Sequence, residues 1–255
     1  MADAGKLAGG QRVSQSKTGS ARRSASGRRA VRIDGEEPRP VPVDAKAPVK
    51  SRKRASKRGE DVRERILHAA LECFGAFGFE GTSTRAVADR AEITHTLVLY
   101  HFHTKEQLWI ATVGDALARY MQEMEKHLAN AADNPAQGLR TFIEQFIRMS
   151  ARQPQVHRIL TMESNQDTSR LDWVIENYLR DHFTKVRDLI RASQVQGLVR
   201  QCDPARMYYM IIGAGGTPFT VKTEYRALTG RDVFSETEIL RNIAFLFELV
   251  FIDAP

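Results

Sequence analysis

From about residue 60 to the end of the chain, apolar residues recur three and four apart, and polar residues stand where helices must begin. That combination excludes most fold classes. Ile66, Leu67, Ala70, Leu71, Phe74 and Phe77 share one helical face, and Gly78 follows where a left-handed residue ends a helix. Ser83 is an N-cap for a short helix over about residues 84–91, with Val87 and Ala88 inward. Thr94 caps a second short helix over about 95–101. Thr104 and Gln107 have capping-box spacing and open a long helix through Trp109, Val113, Leu117, Tyr120 and Met124 to about Leu128.

The remaining chain repeats this grammar. Asn134-Pro135 pairs an N-cap with proline at the first helical position, ahead of Leu139, Phe142, Ile143, Phe146 and Ile147. Pro154 interrupts, and a shorter helix covers about residues 156–164. A long helix is predicted over about 170–196, closed by Gly197. Asp203-Pro204 starts another, and Ser235 with Glu238 launches a last one through Ile239, Ile243, Leu246, Phe247 and Val250. No strand pattern or internal repeat interrupts the series. The expected fold is all-α.

The charge is unevenly placed. Residues 1–60 hold 16 Lys/Arg against 6 Asp/Glu, whereas residues 61–255 hold 22 against 25. The basicity therefore belongs to the leading segment, which is Gly/Ala/Ser/Arg-rich and then spaced by Pro38, Pro40, Pro42 and Pro48. Such a segment buries too little apolar surface to offset its ordering entropy, so residues 1–58 are expected to be a disordered basic tail. The run Lys50-Ser51-Arg52-Lys53-Arg54-Ala55-Ser56-Lys57-Arg58 would add salt-sensitive phosphate contacts beside a DNA-binding element. A solubilising extension is the plainer alternative.

Two cysteines, Cys73 and Cys202, without C-x-x-C spacing exclude a disulfide scaffold and point to a reducing compartment. No apolar run approaches the ~18 residues of a membrane span, and the first thirty residues hold no signal-peptide stretch. A cytoplasmic protein without membrane contact is expected. His101-x-His103 with His95 nearby lacks a Cys or carboxylate to complete a metal site, so neither metal nor cofactor is expected. No G-x-S-x-G, Walker or H-E-x-x-H motif is present, which argues against an enzyme.

Two short helices behind a longer one fit a helix-turn-helix, whose second helix enters the major groove. Thr94, His95 and Thr96 at that helix's start can approach base edges and phosphates, and Lys105 stands at the rim for a backbone phosphate. The stretch Phe74-Gly75-Ala76-Phe77-Gly78-Phe79-Glu80-Gly81-Thr82-Ser83-Thr84-Arg85-Ala86-Val87-Ala88 resembles the TetR family of one-component regulators. So do Ala91-Glu92-Ile93-Thr94, Leu97-Val98-Leu99-Tyr100-His101-Phe102 and Thr104-Lys105-Glu106-Gln107-Leu108. The resemblance spans about residues 61–110. It implies a helix-turn-helix domain over 59–105 and a helical ligand-binding and dimerisation domain over 106–255. It also implies a homodimeric repressor on a pseudo-palindromic DNA operator, released by a small-molecule effector.

Carried over by resemblance, Thr84 and Arg85 would touch phosphate, Thr94, His95, Thr96 and Leu97 would face the groove, and Tyr100 and Lys105 the backbone. Glu92 stands where the family usually has Gly, so a positive φ falls on a residue with a side chain. Leu99 stands where the family often has a phosphate-contacting Tyr, which shifts that role to Tyr100 or His101.

Trp109, Phe142, Phe146, Met149, Met162, Trp173 and Tyr178 are candidates for the ligand pocket, although ordinary core packing is the default reading of each. Glu163, Asn165, Arg170 and Asp172 cluster at a helix junction, as polar ligand contacts or as a solvated turn. Family layout assigns the dimer interface to Tyr208, Ile211, Ile212, Ile239, Ile243, Leu246 and Phe247. The competing function is a helical architectural or interaction protein that holds DNA non-specifically through its basic tail.

Overall fold

Capping residues set most of the helix starts in the computed structural model, which describes residues 49–129 and 133–252. The order is α1 (Val49–Gly81), α2 (Thr84–Arg90), α3 (His95–Phe102), α4 (Lys105–Leu128), α5 (Pro135–Arg152) and α6 (Pro154–Glu163). Then come α7 (Ser169–Val174), a π-helical turn (Ile175–Leu179), α8 (Arg180–Val195), α9 (Pro204–Thr220), α10 (Lys222–Thr229) and α11 (Glu236–Val250). The fold is all-helical, as the spacing predicts. Among the described residues the one strand-like feature is an antiparallel bridge between Val199 and Phe251.

Three differences from the sequence reading have physical causes. First, α1 begins at Val49, so residues 49–58 of the expected tail are helical. Lys, Arg and Ala are good helix formers, and a run without apolar residues carries no periodicity to announce it. Residues 1–48 of that expectation lie outside the described residues. Second, the long helix expected over 170–196 is broken by the π-turn. Its extra residue per turn brings Tyr178 to α4, where its hydroxyl donates to the Gly114 carbonyl at 3.2 Å. Third, α10 was not anticipated. It buries none of its residues fully, and Tyr225 ties it to the core, packing against the second cluster and donating its hydroxyl to Glu238 Oε2 at 2.7 Å.

Two apolar clusters form, and the expected boundary at residue 105 does not separate them. The first joins Ile66, Phe74, Val87 and Val98 to Trp109 and Leu117 on α4, Val156 and Ile159 on α6, and Val174 on α7. The second begins further along α4 with Tyr120 and Met124 and gathers α5, α8, α9 and α11 around Phe142, Ile190, Ile211 and Leu246. Helix α4 thus belongs to both. Close approach requires glycine at two crossings. A Cβ on Gly75 would lie 2.7 Å from Gln155 Cβ on α6, and one on Gly216 would lie 2.6 Å from the His157 ring.

Candidate nucleic-acid interface

The helix-turn-helix is assembled from α2, α3 and the end of α1. At Gly78 the backbone takes φ 69°, which breaks α1 and returns the chain, and Thr82 Oγ1 donates to the Gly78 carbonyl at 2.8 Å. Ser83 caps α2 by accepting from the Ala86 amide at 3.1 Å. Val87 and Val98 are fully buried and fix the angle between α2 and α3. A second tie crosses between them, Thr84 Oγ1 to His95 Nε2 at 2.9 Å.

Both ends of α3 are held by strained backbone. Glu92 has φ 53° and His103 φ 54°, each a non-glycine residue in a region costing roughly 1–2 kcal/mol. At the first, an Arg65 guanidinium nitrogen donates to the carbonyls of Ala91 at 2.5 Å and Glu92 at 3.4 Å. At the second, the Thr104 amide closes on the Phe102 carbonyl at 2.5 Å, a tight γ-like turn. The Glu92 strain follows the expectation from the sequence. The His103 strain had no sequence signal, because His is only moderately enriched at positive φ.

Side-chain caps close α2, α4 and α5, through Ser83, Thr104 and Asn134. Thr94 at the start of α3 makes no such bond. Thr94 and Thr96 are exposed there, and His95 and Leu97 are half-buried. That bare polar end suits phosphate and base-edge contacts. Tyr100 is 74% exposed further along α3, and Arg85 is exposed on α2. Lys105 lies half-buried at the start of α4, with its ammonium 4.2 Å from the Phe79 ring centroid.

The other expected sites are rearranged. Tyr208, Ile211, Ile239, Ile243 and Leu246 are buried in the chain's own core, and the half-buried Ile212 and Phe247 pack against it. The outer side of the same helices instead carries exposed Tyr209 on α9 and Leu240, Phe245 and Leu249 on α11. The row with regular three-and-four spacing turned inward, and the exposed sides mix these apolar groups with polar ones such as Arg206, Arg241 and Glu248. The proposed pocket residues divide between the clusters. Trp109, Trp173 and Tyr178 go with the first, Phe142, Phe146 and Met149 with the second, and half-buried Met162 lies 3.5 Å from the Cβ position of Gly78.

The second cluster encloses polar groups, and among them His182 and Ser150 are not singled out by the sequence. His182 is buried on α8 between the rings of Tyr120, Phe142 and Tyr208, at centroid distances of 5.4–6.5 Å. Burial, aided by the Lys185 charge, pulls its pKa down to about 4, so the ring is neutral at pH 7. Burial pushes the Tyr208 hydroxyl up to about 12 and Tyr120 well above its usual range. The Tyr120 hydroxyl and the Ser150 hydroxyl have no hydrogen-bond partner. Their one signal in the sequence is polarity at a helix position that spacing assigns to the core.

A short capped helix, a strained turn and a second helix with an uncapped polar start define a helix-turn-helix DNA-binding protein. Known proteins agree: residues 66–112 match the profile of bacterial regulatory proteins of the tetR family, and residues 135–250 that of the tetracyclin repressor-like C-terminal domain. The chain belongs to the TetR family of transcriptional regulators, which are not enzymes. It is 26% identical to the regulator RutR of Escherichia coli K12 over 188 residues, 74% of this chain and 88% of the relative. It is 26% identical to the repressor NicS of Pseudomonas putida over 57% of this chain and 69% of that one.

Solved structures share the fold. The hemolysin II regulator HlyIIR aligns with TM-score 0.56 at 21% identity, over 74% of this chain and 98% of that one. AibR, crystallised with isovaleryl coenzyme A and operator DNA, aligns with TM-score 0.58 at 19% identity over the same shares. Among the described residues no helix is long and apolar enough to cross a membrane.

Proposed function

We propose that two copies of this chain bind a pseudo-palindromic operator, with α3 of each in a major groove, and that a small molecule in the C-terminal domain releases them. The observation that carries the reading is the start of α3: exposed Thr94 and Thr96 on a helix whose first amides have no side-chain cap. Arg85 and Tyr100 flank it as phosphate contacts, which position the head without reading sequence. Lys105 reaches a phosphate by leaving the Phe79 ring.

Pairing uses the outer faces of α9 and α11. Tyr209, Leu240, Phe245 and Leu249 are large apolar groups left in solvent there. A stable dimer would bury about 1,600 Å² in all, so the polar residues around these groups would have to take part. The buried hydroxyls of Tyr120 and Ser150 without partners support an effector site inside the C-terminal domain. RutR and NicS are similar regulators by name, and AibR was crystallised with an acyl-coenzyme A and its operator; this chain's own effector is of unassigned chemistry.

Selection from random-sequence duplexes followed by mobility shift tests the reading. Specific retardation is expected to survive deletion of residues 1–48. Changing Thr94, His95 and Thr96 together to alanine is expected to erase the preference for the selected sequence, a loss of about 10³ or more against random DNA. Retained preference in that triple variant overturns the assigned reading helix. Binding that ignores sequence and disappears with the leading segment establishes instead a tail-driven architectural protein.

A further inference from the structure

The polar cluster at the junction of α6 and α7 has an unexpected neighbour in the helix-turn-helix. Glu163, at the end of α6, is buried, and its Oε1 accepts from Arg170 Nε at 3.1 Å and from the Thr168 hydroxyl. Thr168 also caps α7, accepting from the Leu171 amide at 3.2 Å. The Arg170 side chain is only 12% exposed. Its guanidinium centre sits 3.7 Å from the centroid of Phe79, and 5.8 Å from the Trp109 ring. Phe79 lies just past the Gly78 break in the head and stacks on buried Phe74 at 6.2 Å. One ring of the DNA-binding head is therefore gripped by a cation of the C-terminal domain, and the same ring carries Lys105 at 4.2 Å.

We propose that Arg170, held by Glu163 and Thr168, is a positioning residue that sets the angle of the DNA-binding head through the face of Phe79. It touches no DNA. The physical basis is the electron-rich ring face, which draws a partly desolvated cation within about 6 Å. Glu163 fixes the guanidinium so that it cannot follow the ring, and Thr168 ties that carboxylate to the α7 cap. Any rearrangement of the α6–α7 junction moves the cation and so the head. This rests on the proposed reading that paired heads span two half-sites, because a head angle is felt only as half-site spacing.

The test replaces Phe79 in the full chain by mono-, di- and trifluorophenylalanine, which keep the ring's shape and drain its face. Probes are the selected operator, the same operator with one base pair added or removed between half-sites, and a single half-site. The natural chain is expected to lose tenfold or more on the altered spacings. The fluorinated series is expected to lose progressively less, reaching threefold or less, with half-site affinity unchanged. The same relaxation is expected for Arg170→Met and its reversal in Arg170→Lys.

Spacing discrimination that stays at the natural level across the fluorine series overturns the proposal. So does a fluorine effect that vanishes in a Lys105→Ala background, since the responsible cation is then Lys105. A natural chain that selects no sequence fails earlier and refutes the operator reading on which the proposal stands.

Discussion

The DNA-binding head and the C-terminal domain are built from the same kind of helix but put their chemistry on opposite sides. In the head, polar groups with a task lie outside, on the uncapped start of α3, and the interior is plain: Ile66, Phe74, Val87 and Val98 are fully buried. In the C-terminal domain the outer sides of α9 and α11 leave Tyr209, Leu240, Phe245 and Leu249 in solvent, and polar groups such as His182, Tyr120 and Ser150 are enclosed. The head presents the polar surface that a polyanion requires, and in the C-terminal domain the exposed apolar groups and the enclosed polar ones are what the proposed pairing and effector binding would use. Strain follows the same division. Among the described residues, the non-glycine positions with positive φ, Glu92 and His103, both flank α3.

The largest effect that separates the two regions is acid sensitivity. His182 has a folded pKa of about 4, below its ordinary 6.5, so the unfolded chain takes up the proton first as pH falls. The stability it confers is complete above pH 6.5 and is lost progressively as pH falls toward 4, by about 3 kcal/mol. Urea midpoints at pH 7, 5.5 and 4 are expected to fall steeply for the natural chain. The slope is expected to be shallower for His182→Phe, a ring that suits its aromatic neighbours. Equal slopes for the two chains would remove the distinction drawn for the C-terminal interior.

Next in size is the seam between the regions. A Cβ at Gly75 would lie 2.7 Å from Gln155 Cβ and 3.1 Å from its Cα, so α6 must move away from α1. Overpacking costs about 1–3 kcal/mol and outweighs the roughly 1 kcal/mol that alanine adds to a helix. Gly75→Ala is therefore expected to lower the midpoint of thermal unfolding and to weaken operator binding more than half-site binding. An unchanged midpoint would mean that the regions are not packed as described.

Smaller effects sharpen the account of the head. Lys105→Ala is expected to weaken operator and random duplexes alike and to reduce the salt slope by about one, measured by titration across salt concentrations. A loss confined to one base pair would assign Lys105 to sequence reading instead. Glu92→Gly is expected to raise stability by about 0.5–1 kcal/mol by relieving the φ of 53°, with little change at the operator.

The same contrast explains what was legible in the sequence. The head is short and local: Ser83, Thr94 and Thr104 mark its helix starts, and the interval between them leaves one arrangement for α2 and α3. The strain at Glu92 could be read because Glu92 stands where the family that this stretch resembles usually has Gly. In the C-terminal domain, spacing found most helices but not their orientation. Helix α11 buries Ile239, Ile243, Leu246 and Val250, yet also carries Leu240, Phe245 and Leu249 at exposed positions off that row. Spacing marks the apolar row but not whether it meets the chain's own core or a second copy, so residues expected at a dimer interface are core. The Arg170–Phe79 contact joins residues 91 positions apart and left no local trace beyond the polar cluster itself.

The central claim is that the start of α3 reads the major groove from two heads at once. Dimethyl sulfate protection of guanine N7, an atom of the major groove, measures this directly on a selected duplex. The account predicts two symmetric patches of protection that fade together in the Thr94, His95 and Thr96 triple variant. A single patch, or protection spread evenly along the duplex and insensitive to those residues, would contradict it.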